Sequence, residues 1–199
     1  MSHWGLEQFR NHYQDKNISE EDIFYYIYAI FNHKGFLREH KAELSKDDPR
    51  VPFSKDFKEL SKLGKTLADL HLNYENGEKF TPSNGDILLD SREDAYFYVH
   101  KMTKSKDGSE IYYNKDIKIC GIPKRAYDYV LNQKSAIDWI IERYEITRAD
   151  KTGNKAKIPN NPNLFKGSRY IYDLLLRVIA LSLKSVDLIE SISRLDYES

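Results

Sequence analysis

The chain has one cysteine, Cys120, among 199 residues. No intrachain disulfide can form and no thiolate cluster can hold zinc, which fits a reducing, cytoplasmic setting. No apolar run approaches the ~18 residues of a membrane span, so no membrane partner is expected. Met1-Ser2-His3-Trp4 also lacks the charged-then-apolar order of a signal peptide. An excess of one charge is missing too, since 31 Lys and Arg balance 31 Asp and Glu. Proteins that bind nucleic acid indiscriminately usually carry a basic surplus, because phosphate neutralisation drives that binding. Any nucleic-acid contact here has to come from local basic patches. What the chain does have is aromatic side chains, 13% of residues, with 15 Tyr among them. Tyrosine joins apolar area to a hydroxyl and suits half-buried positions and interfaces. With a 40% hydrophobic fraction, the length allows one large domain or two small ones.

Signatures of chemistry are missing as well. Gly64-Lys65-Thr66 resembles the end of a phosphate-binding loop, but the glycine required five residues earlier is Glu59. The segment also lies within an amphipathic helical stripe rather than after a strand. The histidines (His3, His12, His33, His40, His71, His100) show no metal-binding spacing with an acidic partner. His71, between Leu70 and Leu72, reads as a hydrogen-bonded packing residue. Glu20-Glu21-Asp22 suits the positive end of a helix, and Cys120 reads as an inert thiol in a strand. There is no nucleophile elbow. No catalytic residue, metal or cofactor is expected, and the chain by itself is not expected to be an enzyme.

Periodicity gives the order of elements. Trp4, Leu6, Phe9 and Tyr13 suggest a short opening helix. Ser19 and Asp22 match a capping box, leading into a helix with Ile23, Tyr26, Ile27, Ile30 and Phe31 on one face. Phe24, Tyr25 and Tyr28 make its other face apolar, so burial on most sides is expected. Gly35 should break it, with Phe36 to Leu44 continuing. Ser54 reads as the cap of a helix carrying Phe57, Leu60, Leu63, Leu67 and Leu70. Asn73 to Asp90 is loop-like. Ala95 to Met102 and Ile111 to Cys120 then read as a β-hairpin turning at Asp107-Gly108. Pro123 fits the start of a short helix with Ala126, Tyr127 and Val130, and Ser135 caps another. Thr147 to Gly167 is polar, and Tyr170 to Ile192 forms one long helix. The expected class is α+β: a helical N-terminal part, a central β-hairpin or small antiparallel sheet, and C-terminal helices ending in a long one. The whole chain is taken as one recognition domain, with residues 1–74 as a helical subregion and 75–199 as an α+β subregion.

Several runs in order resemble the C-terminal specificity region of type ISP restriction–modification enzymes, often labelled DEAD/DEAH-box helicases. They are Asp22 to Ala29 (DIFYYIYA), Pro49 to Phe53 (PRVPF), Leu67 to Glu75 (LADLHLNYE), Ile111 to Asn114 (IYYN), Gly121-Ile122-Pro123, and Ser135 to Tyr144 (SAIDWIIERY). The resemblance implies a piece of a larger polypeptide that also holds a nuclease, a translocating ATPase and an adenine-N6 methyltransferase. It implies that this domain reads the target site from the major-groove side of double-stranded DNA, with the methyltransferase and ATPase domains of the parent chain as partners. Met1 would then start a cut-down chain. The polar segment after Arg143-Tyr144 is longer than is usual in the family, and Asn160-Asn161-Pro162-Asn163 stands where relatives end in Asn-Asp-Pro-Asn.

Reading base edges takes Arg or Lys for guanine and Asn or Gln for adenine, while phosphates take Lys, Arg or backbone donors. Two segments supply these groups on loops. One holds Lys101, Lys104 and Lys106 around the hairpin turn. The other holds Arg148, Lys151, Lys155 and Lys157, followed by Asn160 and Asn161. Arg50 is a further candidate, though it could equally anchor its connector to a helix end. The plainer reading is that loop lysines are solvated and that Asn beside Pro makes turns. Two other roles stay open. One is a docking module that packs against the methyltransferase domain through the opening helix and through Tyr172, Leu176 and Leu183. The other is a stand-alone enzyme, which a pocket of converging titratable groups would revive.

Overall fold

Ser19 sets the first long helix. Its hydroxyl accepts from the Asp22 N–H (3.1 Å), and the Asp22 carboxylate accepts from the Ser19 N–H (2.9 Å), which completes the capping box. The helix that follows belongs to a computed structural model that describes residues 3–44, 50–85, 94–146, 162–164 and 169–197. Among them the architecture is α+β and divides into two compact units, Met1–Asn73 with Asp187–Ser199, and Tyr74–Val186.

The first unit is helical: α1 (His3–Tyr13), α2 (Glu20–Ile30), α3 (Lys34–Glu39), α4 (Lys41–Leu44) and α5 (Phe57–Leu72). Its core gathers Ile23, Tyr26 and Ile30 from α2 with Phe57, Leu60 and Leu67 from α5. The two helices cross closely because Gly64 has no side chain. A methyl group there would stand 2.0 Å from the Tyr25 carbonyl oxygen. That is the use of the glycine in Gly64-Lys65-Thr66, which lies inside α5 as its helical stripe predicts.

Three details differ from expectation. The break after α2 falls at Phe31–His33 rather than at Gly35, because His33 accepts from the Phe36 N–H (3.1 Å) and caps α3 ahead of the glycine. Ser54 does not occupy the cap position of α5, which falls to Asp56. Ser54 is instead fully buried, accepting from the Asp56 N–H and donating to the Asp196 carbonyl (2.6 Å). Finally, the cover on α2 fails at one apolar position, since Tyr25 and Tyr28 are half-buried while Phe24 is 58% exposed. Its ring stacks beside Tyr28 on the outer face.

The second unit contains β1 (Thr103–Lys104), β2 (Glu110–Tyr112), β3 (Lys118–Cys120), β4 (Val130–Leu131), β5 (Lys134–Ser135) and α6 (Ala136–Arg143). It also holds most of α7 (Tyr170–Ile192), whose last residues belong to the first unit. Strands β1, β2 and β3 form an antiparallel meander with Lys104 opposite Ile111 and Ile111 opposite Ile119. Ile117 and Ile119 point inward on either side of exposed Lys118, as alternation requires.

The expected hairpin is therefore a three-stranded sheet, and Ala95 to Met102 is not its outer strand. Asp94–Phe97 forms a 3-10 turn. The backbone that follows pairs with side chains in place of a ladder. Tyr113 donates to the Phe97 carbonyl (2.8 Å), and the Asn114 amide donates to the Tyr96 and Tyr98 carbonyls. Buried Asn163 accepts from the Val99 N–H and donates to the Val99 carbonyl, both at 2.8 Å. One side chain thus does for Val99 what a neighbouring strand would. The adjacent His100 carbonyl accepts from the Ile146 N–H (2.9 Å).

The helix α7 matches its expected span. However, Tyr172 and Leu176 are buried within the second unit, so they are not free for the docking surface assigned to them from sequence. No helix among the described residues is long and apolar enough to cross a membrane.

Candidate nucleic-acid interface

The turn between β1 and β2 is fixed by its own polar side chains. The Asp107 carboxylate accepts from the Ser105 hydroxyl (2.7 Å) and from the Ser109 N–H and hydroxyl. These hydrogen bonds hold its pKa below the ordinary carboxylate value. Gly108 takes φ +76°, where a side chain would be strained. Its carbonyl accepts from the Tyr127 hydroxyl (3.0 Å), and burial pushes the Tyr127 pKa up to about 12. The turn is thereby locked against the short 3-10 segment Lys124–Asp128.

A second hairpin closes on the same region. β4 and β5 pair Val130 with Ser135 and Leu131 with Lys134, joined by Asn132-Gln133. The Trp139 indole N–H donates to the Leu131 carbonyl (2.8 Å) and braces the hairpin from α6. Ser135 caps α6 by accepting from the Asp138 N–H (3.0 Å).

Between these parts lies an open cleft of about 300 Å3 lined by Lys104, Lys106, Lys124, Lys134, Tyr127 and Gln133. Asp107 and Asp138 also line it, so four lysines against two aspartates leave a surplus of two positive charges. In a chain of zero net charge this is a local basic patch of the kind the composition demands.

The lysines are not equivalent. Lys104 is tied to Asp138 (2.6 Å) and lies 4.7 Å from the centre of the Tyr127 ring. Lys134 pairs with Glu142 and lies over Trp139. Lys106 and Lys124 are exposed and form no ion pair among the described residues.

The residues proposed from sequence are distributed as follows. Lys104 and Lys106 share this cleft. Lys101 lies elsewhere in the same unit, paired with Glu145 (3.0 Å) beside Tyr98 and His100. Arg50 is exposed in the first unit without an ion pair among the described residues. Arg148, Lys151, Lys155, Lys157, Asn160 and Asn161 lie outside the described residues. Lys124, Lys134 and Gln133 were not singled out from sequence. Val130 reads there as the end of a helix, and a two-residue turn without glycine gives no hairpin signal.

His71 is a packing residue, as its neighbours suggest. The Tyr28 hydroxyl lies 2.6 Å from its Nδ1, and burial lowers its pKa. Among the described residues no group of three or more His, Cys, Asp or Glu could hold a metal ion.

The model of the Type ISP C-terminal specificity domain matches residues 1–174. The chain belongs to this family. Similar solved structures include a nuclease-deletion mutant of the Type ISP restriction-modification enzyme LlaGI in complex with a DNA substrate mimic. That structure is 37% identical with a TM-score of 0.75, and the match covers 92% of this chain and 17% of that one. The ATP-dependent Type ISP restriction-modification enzyme LlaBIII bound to DNA is 34% identical with a TM-score of 0.81, over 100% of this chain and 12% of that one. The DrdV–DNA complex is 25% identical with a TM-score of 0.77, over 96% and 20%. The specificity domain thus spans 12% to 20% of the solved chains it matches. No curated protein matches it.

Proposed function

We propose that this specificity domain reads a defined sequence in double-stranded DNA on behalf of a single-chain restriction–modification enzyme. In that enzyme the nuclease, the translocating ATPase and the adenine-N6 methyltransferase lie elsewhere in the polypeptide. The carrying observation is the family match over residues 1–174, whose 37% and 34% identical structural neighbours are described in complex with DNA. The basic cleft of the second unit supports the same reading from the chain's own geometry. Its role is recognition, and catalysis is assigned to the other domains.

Lys106, which has no acidic partner among the described residues, is the first phosphate contact, and Lys104 follows at the cost of its Asp138 pair. Lys101 and Arg50 are peripheral contacts. Arg148, Lys151, Lys155 and Lys157 add phosphate contacts on the grounds of charge, and Asn160 and Asn161 add base contacts on the grounds of chemistry.

The test is selection from 30-base-pair duplexes with a randomised centre, followed by sequencing of the bound fraction. A short enriched motif is expected. A bound pool as random as the input overturns sequence reading. In parallel, Lys106→Ala should weaken binding to all sequences and lower the salt slope by about one.

A further inference from the structure

The turn between β4 and β5 contains an anomaly that folding alone does not explain. Asn132 and Gln133 have φ of +50° and +69°, the signature of a type I′ hairpin turn. Asparagine tolerates this region, but the second position strongly favours glycine, because any Cβ is strained there. The sequence places glutamine at that point. Both side chains are exposed, and neither has a hydrogen-bond partner among the described residues. The Gln133 side chain therefore adds strain to the turn and receives no compensating hydrogen bond from the described residues. Strain of this kind collects where a side chain serves binding.

The surroundings indicate the ligand. Gln133 lines the basic cleft with Lys106 and Lys124, so a carboxamide shares the cleft with two cations that form no ion pair among the described residues. The hairpin carrying it is held at both ends of β4. The Tyr129 carbonyl accepts from the Ala136 N–H (3.1 Å), and the Leu131 carbonyl accepts from Trp139. A paired ribbon of this kind fits the major groove, where an amide donates to one adenine edge atom and accepts from another.

We infer that the Asn132-Gln133 turn is a base-reading element, with Gln133 recognising an adenine edge while Lys106 and Lys124 hold adjacent phosphates. This rests on the reading of the chain as a DNA specificity domain. The exchange costs little folding, since the two amides leave no partner behind, and the two lysines flank the amide they would position. The division of labour follows from chemistry: ammonium groups position, and the carboxamide specifies.

The test uses the 199-residue chain and the same randomised duplexes. Gln133→Gly is the informative variant, because glycine suits the positive φ and should leave the melting temperature unchanged or raised. The expected result is loss of preference at one A·T position, by roughly tenfold, with the rest of the motif and the affinity for random duplex little changed. Lys124→Ala should instead weaken all sequences alike and lower the salt slope by about one. If Gln133→Gly selects the wild-type motif unchanged, Gln133 does not read a base and this inference fails, although the chain still recognises DNA. If the wild-type chain selects no motif, the recognition reading fails and this inference falls with it.

Discussion

The two units of this domain reach order by different physical means. In the first, helices interdigitate, and the decisive contacts are apolar: Ile23, Tyr26, Leu60 and Leu67 around the glycine-enabled crossing of α2 and α5. In the second, strands are two or three residues long, and irregular backbone is held by single polar side chains. Asn163 serves Val99, Asn114 serves Tyr96 and Tyr98, and Asp107 serves its own turn. Packing of the first kind tolerates exchange of one apolar residue for another of similar volume. Bonding of the second kind is specific to one residue at one place, and it leaves loop tips rigid but exposed. That is the condition for presenting charged and amide side chains to a large ligand.

The contrast can be broken at four points. Gly64→Ala should destabilise the first unit by about 3 kcal/mol, because its methyl group meets backbone rather than a side chain that can turn away. Amide exchange in α2 and α5 would report the loss, and unchanged protection would refute the close crossing. Asn163→Ala should cost about 2 kcal/mol by leaving two buried backbone groups without their partner. The Val99 amide should lose protection first, while α2 and α5 keep theirs. Ser19→Ala should cost about 1 kcal/mol through the lost cap, and Ser19→Asp should recover most of it, as seen in denaturant midpoints.

The smallest effect concerns pH. An unfolded His71 takes up protons near its ordinary pKa of 6.5, while the buried imidazole in the folded state resists them. The unfolded state then binds more protons, so stability rises with pH in this window and falls as pH drops below 6.5 toward the lowered folded value. His71→Gln should flatten that dependence, and an identical slope in the variant would show that another group is responsible.

The helical unit was largely legible in the sequence. Its capping box and the stripe from Phe57 to Leu67 follow from spacing, since burial imposes the helical period directly on the residues, and the same holds for the full span of α7, most of which lies in the second unit. Boundaries set by one polar contact were not legible: His33 ends up capping α3, and Ser54 is buried with its hydroxyl donating to the Asp196 carbonyl. In the second unit, Ala95 to Met102 has strand composition but no strand partner among the described residues, because Tyr113, Asn114 and Asn163 take its backbone groups from distant positions. Of the candidate interface, Lys104 and Lys106 were found from their place beside Asp107-Gly108. Lys124 and Gln133 were not, because only folding brings their short segments to the same cleft.

Asn163 and Ile146 grip neighbouring backbone positions, Val99 and His100. The two anchors lie far apart in sequence, yet both are hydrogen-bonded to one short stretch of backbone in the second unit. Doubling the sequence length between two fixed anchors costs only about 0.6 kcal/mol in closure entropy. With both anchors fixed on Val99 and His100, the sequence between the anchors can vary in length at little cost to the backbone that holds its ends.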